Sequence, residues 1–387
     1  MKRTYFLNDF FVIIIFLIIL IPLCCVNTKD DIISETENRK LEKFPCLFDI
    51  HGKINKSFLY DFEKWFNDNI GFREKIVSIN NILFIYVFNK IDDNIFYMLG
   101  PEGELNFVDE NILEDWHHLN IPDDEYLREL AESYQYVDDF LSGQGIQFYR
   151  MQCWDKHTIY PEQFPKYALQ YGKQSRTDVI VETINTKTNV NQPNYKDKLL
   201  EKKKEYAVYP TWGDPSHWSE RGAFIGYCAI MEAINNENDN KFHSLSEADF
   251  DIVMKEAGLT ILGGIHKDDY IESFSLKNSS HPHSDLSHLT LYSDDLNSNY
   301  YVNDHVDNKE VLLIVGDSYI RDFLLQYFAE SFYKVIFIQG NHMDDLFNIV
   351  EEYKPSIVIH ESAERTYAYR YIIKAAEMIK EKTGLEE

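Results

Sequence analysis

Basic residues are scarce in this sequence of 387 residues, which contains 38 Lys and Arg against 64 Asp and Glu and has a formal net charge of −26. Proteins that bind nucleic acid or anionic lipid through charge need clustered Lys and Arg, so the acidic balance argues against both kinds of partner. Hydrophobic residues make up 44% of the chain. This share is enough for a packed core, and the length allows one large domain or two smaller ones.

Cysteine is also rare, with 5 residues in the chain. Cys24 and Cys25 end an apolar run, while Cys46, Cys153 and Cys228 show no metal-ligand spacing. One disulfide could form among the last three in an oxidising compartment, and the sequence leaves the pair open. Otherwise we expect Cys46, Cys153 and Cys228 to be structural thiols.

Motifs for common cofactors are absent. The sequence contains neither G-x-x-x-x-G-K nor G-x-G-x-x-G, the loops that cradle nucleotide phosphates. His281, His283 and His288 lie in a stretch rich in Ser and Pro, which favours a solvated loop over a metal site. We therefore expect no cofactor and no metal.

The single long hydrophobic run lies at the N-terminus, at 10–26. It is uncharged, with basic residues before it and acidic residues after it, which predicts a signal anchor with the bulk of the chain outside the cytoplasm. No small-x-small cleavage site follows the run, and Leu23 does not suit a lipidation signal, so we expect a retained anchor. Residues 1–9 then form a cytoplasmic stub, 27–54 a linker and 55–387 the folded domain.

Short apolar runs alternate with helical patterns in the C-terminal part, at 311–315, 334–338 and 356–360. This alternation predicts a parallel sheet flanked by helices, and hence an α/β fold. Other predicted elements are helices at 55–90, 123–141 and 222–234, a strand at 146–151, and two short strands around a turn at 100–103. The polar segment 171–204 predicts a long, partly mobile excursion.

The motif GDSY at 316–319 lies where a predicted strand ends and a helix begins. Catalytic groups in open α/β sheets collect at the carboxyl ends of strands, and the free N–H groups of a helix N-terminus can stabilise an oxyanion. Ser318 is thus a candidate nucleophile, although an isolated GDS motif fits a helix N-cap better.

A second motif, DPSHW at 214–218, supplies the partners that such a serine needs. A serine nucleophile requires a base, and the base requires a carboxylate that orients it. The D-x-x-H spacing lets Asp214 and His217 point to one side of a tight turn. Together with Ser318, they fill the three roles of a hydrolase-type triad.

These motifs and several others, in the same order, resemble the alginate O-acetyltransferase family, whose members are SGNH-hydrolase-like proteins that acetylate polysaccharides outside the cytoplasm. The sequence is also similar to the related DHHW-motif proteins of bacterial surfaces. The matching segments are the N-terminal anchor, FEKWFNDNIGFR at 62–73, GPEGEL at 100–105, KHTIYPEQFP at 156–165, DPSHWSERG at 214–222, GDSY at 316–319 and PSIVIHESAER at 355–365. The sequence departs from the family in having D-x-x-H-W for D-x-H-W, and Glu104 in place of a Trp.

The resemblance implies an SGNH-like domain with O-acyltransferase activity, in which Ser318 is the nucleophile, His217 the base and Asp214 its orienting acid. Topology makes Gly340 and Asn341 candidates for an oxyanion hole, and it places Arg365 and Glu361 at the same sheet edge, where an ion pair is expected. Candidate aromatic residues for binding the acceptor are Trp218, Tyr319 and Trp154.

The resemblance also implies a polysaccharide acceptor and a membrane-bound O-acyltransferase that delivers the acetyl group. Two alternatives stay open from the sequence: an esterase that uses the same triad with water, and a non-catalytic member of a polysaccharide-assembly complex. The identity of the polymer is also open.

Overall fold

The protein is described here by a computed structural model that covers residues 2–28, 33–34, 39–48, 52–73, 75–76, 79–80, 83–84, 96–109, 111–257, 268–293 and 295–384. The chain forms two compact units, Met1–Ile95 with Gly258–Lys267, and Phe96–Ala257 with Asp268–Glu387. We call them unit 1 and unit 2. The boundary after Ile95 lies later in the chain than the predicted domain start at residue 55.

Unit 1 contains the helices Lys2–Cys24 and Phe58–Asn69 and an antiparallel pair of short strands, Ile33–Ser34 (β1) and Arg39–Lys40 (β2). In the part of the chain that the structure describes, no helix is both long and apolar enough to cross a membrane. The predicted anchor at 10–26 is therefore not confirmed. The helix predicted at 55–90 is observed over Phe58–Asn69, and most of its second half lies outside the described residues.

Unit 2 is built around a mixed sheet with the strand order β5-β12-β10-β11-β9-β8. Its strands are Gln147–Cys153 (β5), His283–Ser284 (β8), Asn299–Val302 (β9), Val311–Gly316 (β10), Lys334–Gln339 (β11) and Ile357–Ala363 (β12). The parallel arrangement predicted for β10, β11 and β12 is observed, β5 joins them as a fourth parallel strand, and β9 and β8 add an antiparallel edge. The α/β prediction is confirmed in this mixed form.

Two further strand pairs lie outside this sheet. Tyr97–Leu99 (β3) and Leu105–Phe107 (β4) form the hairpin predicted around the GPEG turn, and Phe250–Glu256 (β6) pairs with Tyr270–Leu276 (β7). The helices of unit 2 are Ile112–His117, Asp124–Ser142, Lys156–Ile159, Arg176–Lys187, Lys196–Lys202, Glu220–Glu237, Ser318–Arg321, Leu325–Ala329, Leu346–Tyr353 and Tyr371–Thr383.

Helices cover both faces of the sheet, and the alternation of side chains along each strand divides the core in two. In β10, Leu312 and Ile314 pack on the side of the helix Glu220–Glu237, whereas Leu313 and Val315 pack on the opposite side. Successive side chains of a strand point to opposite faces, so a strand buried on both faces has an unbroken apolar sequence.

The predicted excursion at 171–204 is corrected by the structure, which places two helices there. Ser175 caps the helix Arg176–Lys187 through a capping box with Asp178. Only Arg176, Thr177, Ile180 and Ile184 of that helix are buried. A buried stripe with two polar members leaves too weak an apolar pattern to indicate a helix.

We predict that Ile314→Ala lowers the free energy of unfolding of the protein by about 2–5 kcal/mol, because it empties a fully buried position in the centre of the sheet. Ile314 lies between Phe337 of β11 and Ile359 of β12. Denaturant unfolding followed by near-UV circular dichroism measures this loss. Leu296, which is 98% exposed, is the control, and Leu296→Ala should change stability by less than about 0.5 kcal/mol. Equal losses in both variants would contradict the assigned core.

Candidate active site

The turn that carries Ser318 follows β10 directly and is held by its own aspartate. Asp317 is the N-cap of the helix Ser318–Arg321, and its carboxylate accepts hydrogen bonds from the N–H of Tyr319 at 3.0 Å and of Ala363 at 2.8 Å. The first bond caps the helix, and the second ties the turn to β12. Ser318 is thereby fixed at the carboxyl end of the central strand.

Glu361 supports the same turn from β12. Its Oε2 accepts a hydrogen bond from the Asp317 N–H at 2.7 Å. A Cβ atom at Gly316 would lie 2.6 Å from this oxygen, so glycine is needed for the close approach. Burial and the neighbouring charge of Asp317 raise the pKa of Glu361 well above its usual range. Glu361 therefore contacts the turn that carries Ser318, rather than forming the ion pair predicted with Arg365.

The structure brings Asp214, His217 and Ser318 into one hydrogen-bonded chain. His217 Nε2 lies 2.7 Å from Ser318 Oγ, and His217 Nδ1 lies 2.7 Å from Asp214 Oδ2. The side chains of His217 and Asp214 are 17% and 36% exposed, so solvent reaches the group. This is the arrangement in which an imidazole can take a proton from a hydroxyl while a carboxylate stabilises the imidazolium.

Ser216 is a further member of this loop that the sequence analysis did not select. Its hydroxyl and its N–H both donate to Asp214 Oδ1, at 2.5 and 2.9 Å. Burial raises the pKa of Asp214, but the hydrogen bonds from His217 and Ser216 outweigh that effect, and the pKa lies below its usual value. The position of Ser216 inside the DPSH motif was the signal in the sequence that could have identified this residue.

Two buried groups anchor the loop that leads into the DPSH motif, and neither was predicted. The carboxylate of Asp269 accepts hydrogen bonds from the N–H groups of Trp212 and Gly213, at 2.8 and 2.9 Å. Lys156 Nζ donates to the carbonyl of Thr211 at 3.1 Å, and burial lowers the pKa of Lys156 to about 7. No local pattern links these residues to the loop.

The structure does not support the predicted acceptor-binding role of Trp218, Tyr319 and Trp154. All three side chains are buried in the core on the side of the helix Glu220–Glu237. Trp218 and Tyr319 pack edge to face with ring centroids 5.0 Å apart. A sugar approaching from solvent cannot stack on these rings. Trp218 follows His217 and Tyr319 follows Ser318 in the sequence, so both lie near the triad, but their rings are buried in the core.

The oxyanion donors stay a prediction. The Ser318 N–H has no hydrogen-bond partner among the described residues, so it is available to a developing oxyanion. Gly340 begins a 3-10 helix after β11 and packs beside β10, since a Cβ atom on it would lie 3.2 Å from the Gly316 carbonyl oxygen. Asn341 follows it and is exposed.

Arg365 forms its ion pair with Asp155. Arg365 Nη1 lies 2.5 Å from Asp155 Oδ1, and both side chains are buried. Arg365 ends the motif at 355–365 and Asp155 directly precedes the motif at 156–165, but the sequence predicted a site role only for Arg365. The ion pair joins segments 210 residues apart, which is why no local signal could reveal it.

Asp155, His157 and Glu364 form the one group of metal-ligand type that we find in the described part of unit 2, with ligand atoms within 4.8 Å of one another. Their carboxylate oxygens are already engaged, Asp155 with Arg365 and Glu364 with the Thr158 hydroxyl at 2.7 Å. Arg365 also places a positive charge beside any cation. These contacts favour a hydrogen-bonded polar group over a metal site.

We predict that Asp214→Asn removes a contribution to stability that depends on pH. Because the pKa of Asp214 is lower in the folded than in the unfolded protein, its carboxylate stabilises the fold above the unfolded pKa of about 3.9, and this contribution disappears as the pH falls through the folded pKa. The difference in free energy of unfolding between wild type and Asp214→Asn should thus be constant above about pH 5 and shrink below about pH 4. The free energy of unfolding of Ser216→Ala should lie between those of wild type and Asp214→Asn. A difference between wild type and Asp214→Asn that stays constant down to the lowest pH measured would refute the lowered pKa of Asp214.

Comparison of the sequence finds no matching protein-family model and no matching curated protein. Solved structures do match. PatB1 of Bacillus cereus aligns with a TM-score of 0.53 and 14% identity, over 71% of this chain and 99% of that chain. A DHHW family protein from Eubacterium siraeum aligns with a TM-score of 0.44 and 14% identity, over 65% of this chain and 88% of that chain. The O-acetyltransferase domain of Pseudomonas putida AlgJ aligns with a TM-score of 0.44 and 15% identity, over 73% of this chain and 99% of that chain.

At such low identity, the likeness to PatB1 establishes the fold, and it extends over nearly all of that protein. The chain has the mixed α/β fold that PatB1 also has.

Proposed function

We propose that this protein is an O-acetyltransferase that acetylates a cell-surface or secreted polysaccharide through an acetyl ester on Ser318. The observation that carries the proposal is the hydrogen-bonded chain of Asp214, His217 and Ser318, with both distances at 2.7 Å. The fold and the motif resemblance support it, and the resemblance supplies the nature of the acyl group and of the acceptor.

In the first step, Ser318 Oγ attacks the carbonyl carbon of an acetyl donor while His217 Nε2 takes the hydroxyl proton. Asp214 stabilises the imidazolium that forms, and the Ser318 N–H is available to the oxyanion of the tetrahedral intermediate. The intermediate then expels the donor's leaving group, which receives the proton from His217 Nε2. The product is an acetyl ester on Ser318.

In the second step, a sugar hydroxyl gives its proton to His217 Nε2 and attacks the acetyl carbonyl. The tetrahedral intermediate breaks the ester bond to Ser318, and the proton returns from His217 to Ser318 Oγ. The sugar leaves as its acetyl ester. Water in place of the sugar gives acetate, which is the esterase alternative, and the partial exposure of His217 and Asp214 favours keeping that alternative in the test.

For acceptor binding we propose half-buried rings around the triad, in place of the buried ones. Phe323 lies 5.8 Å from the His217 ring. Tyr97 of β3 packs against Phe107 of β4 at 5.8 Å, and burial together with the charge of Asp214 raises the pKa of Tyr97. Such rings present an apolar face that is still reachable from solvent.

We propose the compartment from the sequence pattern and the acetyl donor from the motif resemblance. The uncharged run at 10–26 and the charges on either side of it support a location outside the cytoplasm with an N-terminal membrane attachment. We propose that a membrane-bound O-acyltransferase delivers the acetyl group to Ser318 there.

The proposed function predicts that wild-type protein hydrolyses a chromogenic acetyl ester, whereas Ser318→Ala and His217→Ala each lose about 10³-fold or more of kcat. Asp214→Asn should lose about 10²- to 10⁴-fold, because the imidazole loses its orienting partner. Stopped assays with intact-protein mass spectrometry should find an added acetyl group on Ser318 of the wild type.

Oligosaccharide acceptors then separate the alternatives. Transfer of the acetyl group from Ser318 to the sugar establishes the transferase, and release only as acetate establishes the esterase. Equal behaviour of wild type, Ser318→Ala and His217→Ala, with no adduct, would refute catalysis and leave a role in a polysaccharide-assembly complex.

For the acceptor site, we predict that Phe323→Ala raises the KM for an oligosaccharide acceptor about 10-fold, since one aromatic contact contributes about 0.5–1.5 kcal/mol. Hydrolysis of the small chromogenic ester should change by less than about 2-fold, because that reaction needs no sugar contact. Phe140→Ala is the matched control, since its partly buried ring packs on the other face of the sheet. An unchanged acceptor KM in Phe323→Ala would remove Phe323 from the site.

A further inference from the structure

The two halves of the triad come from separate segments of unit 2. Ser318 follows β10, and His217 lies in the loop before the helix Glu220–Glu237, so the bond between them joins residues 101 positions apart. A displacement of about 1 Å between such groups can cost about 10²-fold in rate. Some structure must therefore fix one segment against the other.

Asp155 occupies the position where both segments meet. It lies just beyond β5, and its side chain is buried. On the nucleophile's side, Asp155 Oδ1 accepts a hydrogen bond from the hydroxyl of Tyr319 at 2.6 Å. Tyr319 follows Ser318 directly in the chain, and its ring is fully buried. The nucleophile's helix is thus tied to Asp155 through the residue next to Ser318.

On the base's side, Asp155 acts through Arg365. Asp155 Oδ1 accepts from Arg365 Nη1 at 2.5 Å, and Oδ2 accepts from the Arg365 backbone N–H at 2.7 Å. The same Nη1 donates to the carbonyl oxygen of Ser216 at 2.8 Å. Ser216 precedes His217, so this bond holds the peptide that carries the base.

We infer that Asp155 is a positioning residue that sets the distance between His217 and Ser318, with Arg365 as its extension to the base loop. The expected change in kcat rests on the proposed function. The effect of Asp155 on the position of His217 relative to Ser318 does not depend on that function. A buried ion pair contributes little net stability compared with apolar packing. What Asp155 and Arg365 contribute is a fixed connection between the backbone beside the nucleophile and the backbone beside the base.

The test uses three substitutions in the full chain. Asp155→Asn removes the charge that orders Arg365 and Tyr319, Arg365→Lys removes the planar fork, and Tyr319→Phe removes a single hydroxyl. For hydrolysis of the chromogenic acetyl ester, we expect Asp155→Asn to lower kcat about 10- to 100-fold with KM within about 2-fold of wild type. Tyr319→Phe should lower kcat about 3- to 10-fold. Arg365→Lys should also have a kcat below that of wild type, because lysine lacks the planar fork.

Because both act through one carboxylate, Asp155→Asn combined with Tyr319→Phe should be no slower than Asp155→Asn alone. Labelling of Ser318 by a sulfonyl fluoride counts competent sites, so that kcat is expressed per folded site. Glu330→Gln is the matched control, because Glu330 is also a buried carboxylate and accepts a hydrogen bond from the Ser280 N–H at 2.7 Å. It should lower the unfolding temperature and leave kcat per site within about 2-fold.

A merely structural role gives a different result. Asp155→Asn would then lower the unfolding temperature as Glu330→Gln does, with a wild-type kcat per labelled site, and this would overturn the inference. Losses of Asp155→Asn and Tyr319→Phe that multiply in the double variant would also overturn it. If Asp155→Asn does not fold, the single-hydroxyl change in Tyr319→Phe decides the question alone.

A spectroscopic measurement separates this inference from the proposed function. The proton on His217 Nδ1 that is shared with Asp214 should give a downfield proton resonance that is lost in His217→Ala. We expect this resonance to shift or broaden in Asp155→Asn and to stay unchanged in Glu330→Gln, whether or not the protein hydrolyses the ester. An inactive wild type would refute the proposed function alone, whereas an unchanged resonance in Asp155→Asn would refute the positioning role.

Discussion

The proposed chemistry depends on the hydrogen bond between His217 and Ser318, whose two ends are held by separate parts of unit 2. One end rests on the central strand of the sheet, and the other on a loop that is separated from it by 101 positions. The sheet provides a rigid base for the first end because β10 is buried on both faces and paired on both edges. The loop has no such strand beneath it, and it depends on buried polar contacts instead.

Those contacts follow one physical rule. A buried charged or polar group is costly unless hydrogen bonds satisfy it, so each buried carboxylate near the site collects backbone N–H donors. Buried Glu361 and partly buried Asp317 do so for the turn that carries Ser318, and Asp269 does so for the loop before Asp214. The same contacts that satisfy these groups also fix the backbone. Stability of the site and precision of its geometry therefore have a common origin.

The choice between transfer and hydrolysis depends on groups at the rim of the triad. The side chains of His217 and Asp214 are reachable from solvent, so water can reach the acetyl ester that we propose on Ser318. A transferase must give its sugar acceptor an advantage over water, and it can do so only by binding the sugar beside His217. The buried aromatic side chains next to the triad cannot supply that binding. The proposed sugar-binding groups are therefore the half-buried rings of Phe323, Tyr97 and Phe107.

The sequence by itself determined what local pattern can encode. Apolar runs predicted β10, β11 and β12, and their alternation with helical patterns predicted the α/β fold. The short motifs predicted Asp214, His217 and Ser318 as site residues. Tertiary structure decided the rest: the pairing of Arg365 with Asp155 across 210 positions, the contact of Glu361 with the nucleophile's turn, and the burial of Trp218 and Tyr319. The helix Arg176–Lys187 also escaped the sequence pattern, because its buried stripe is partly polar. The physical reason is that periodicity reports which side of an element faces the core, whereas the partner of a buried polar group is set by packing between elements far apart in the chain.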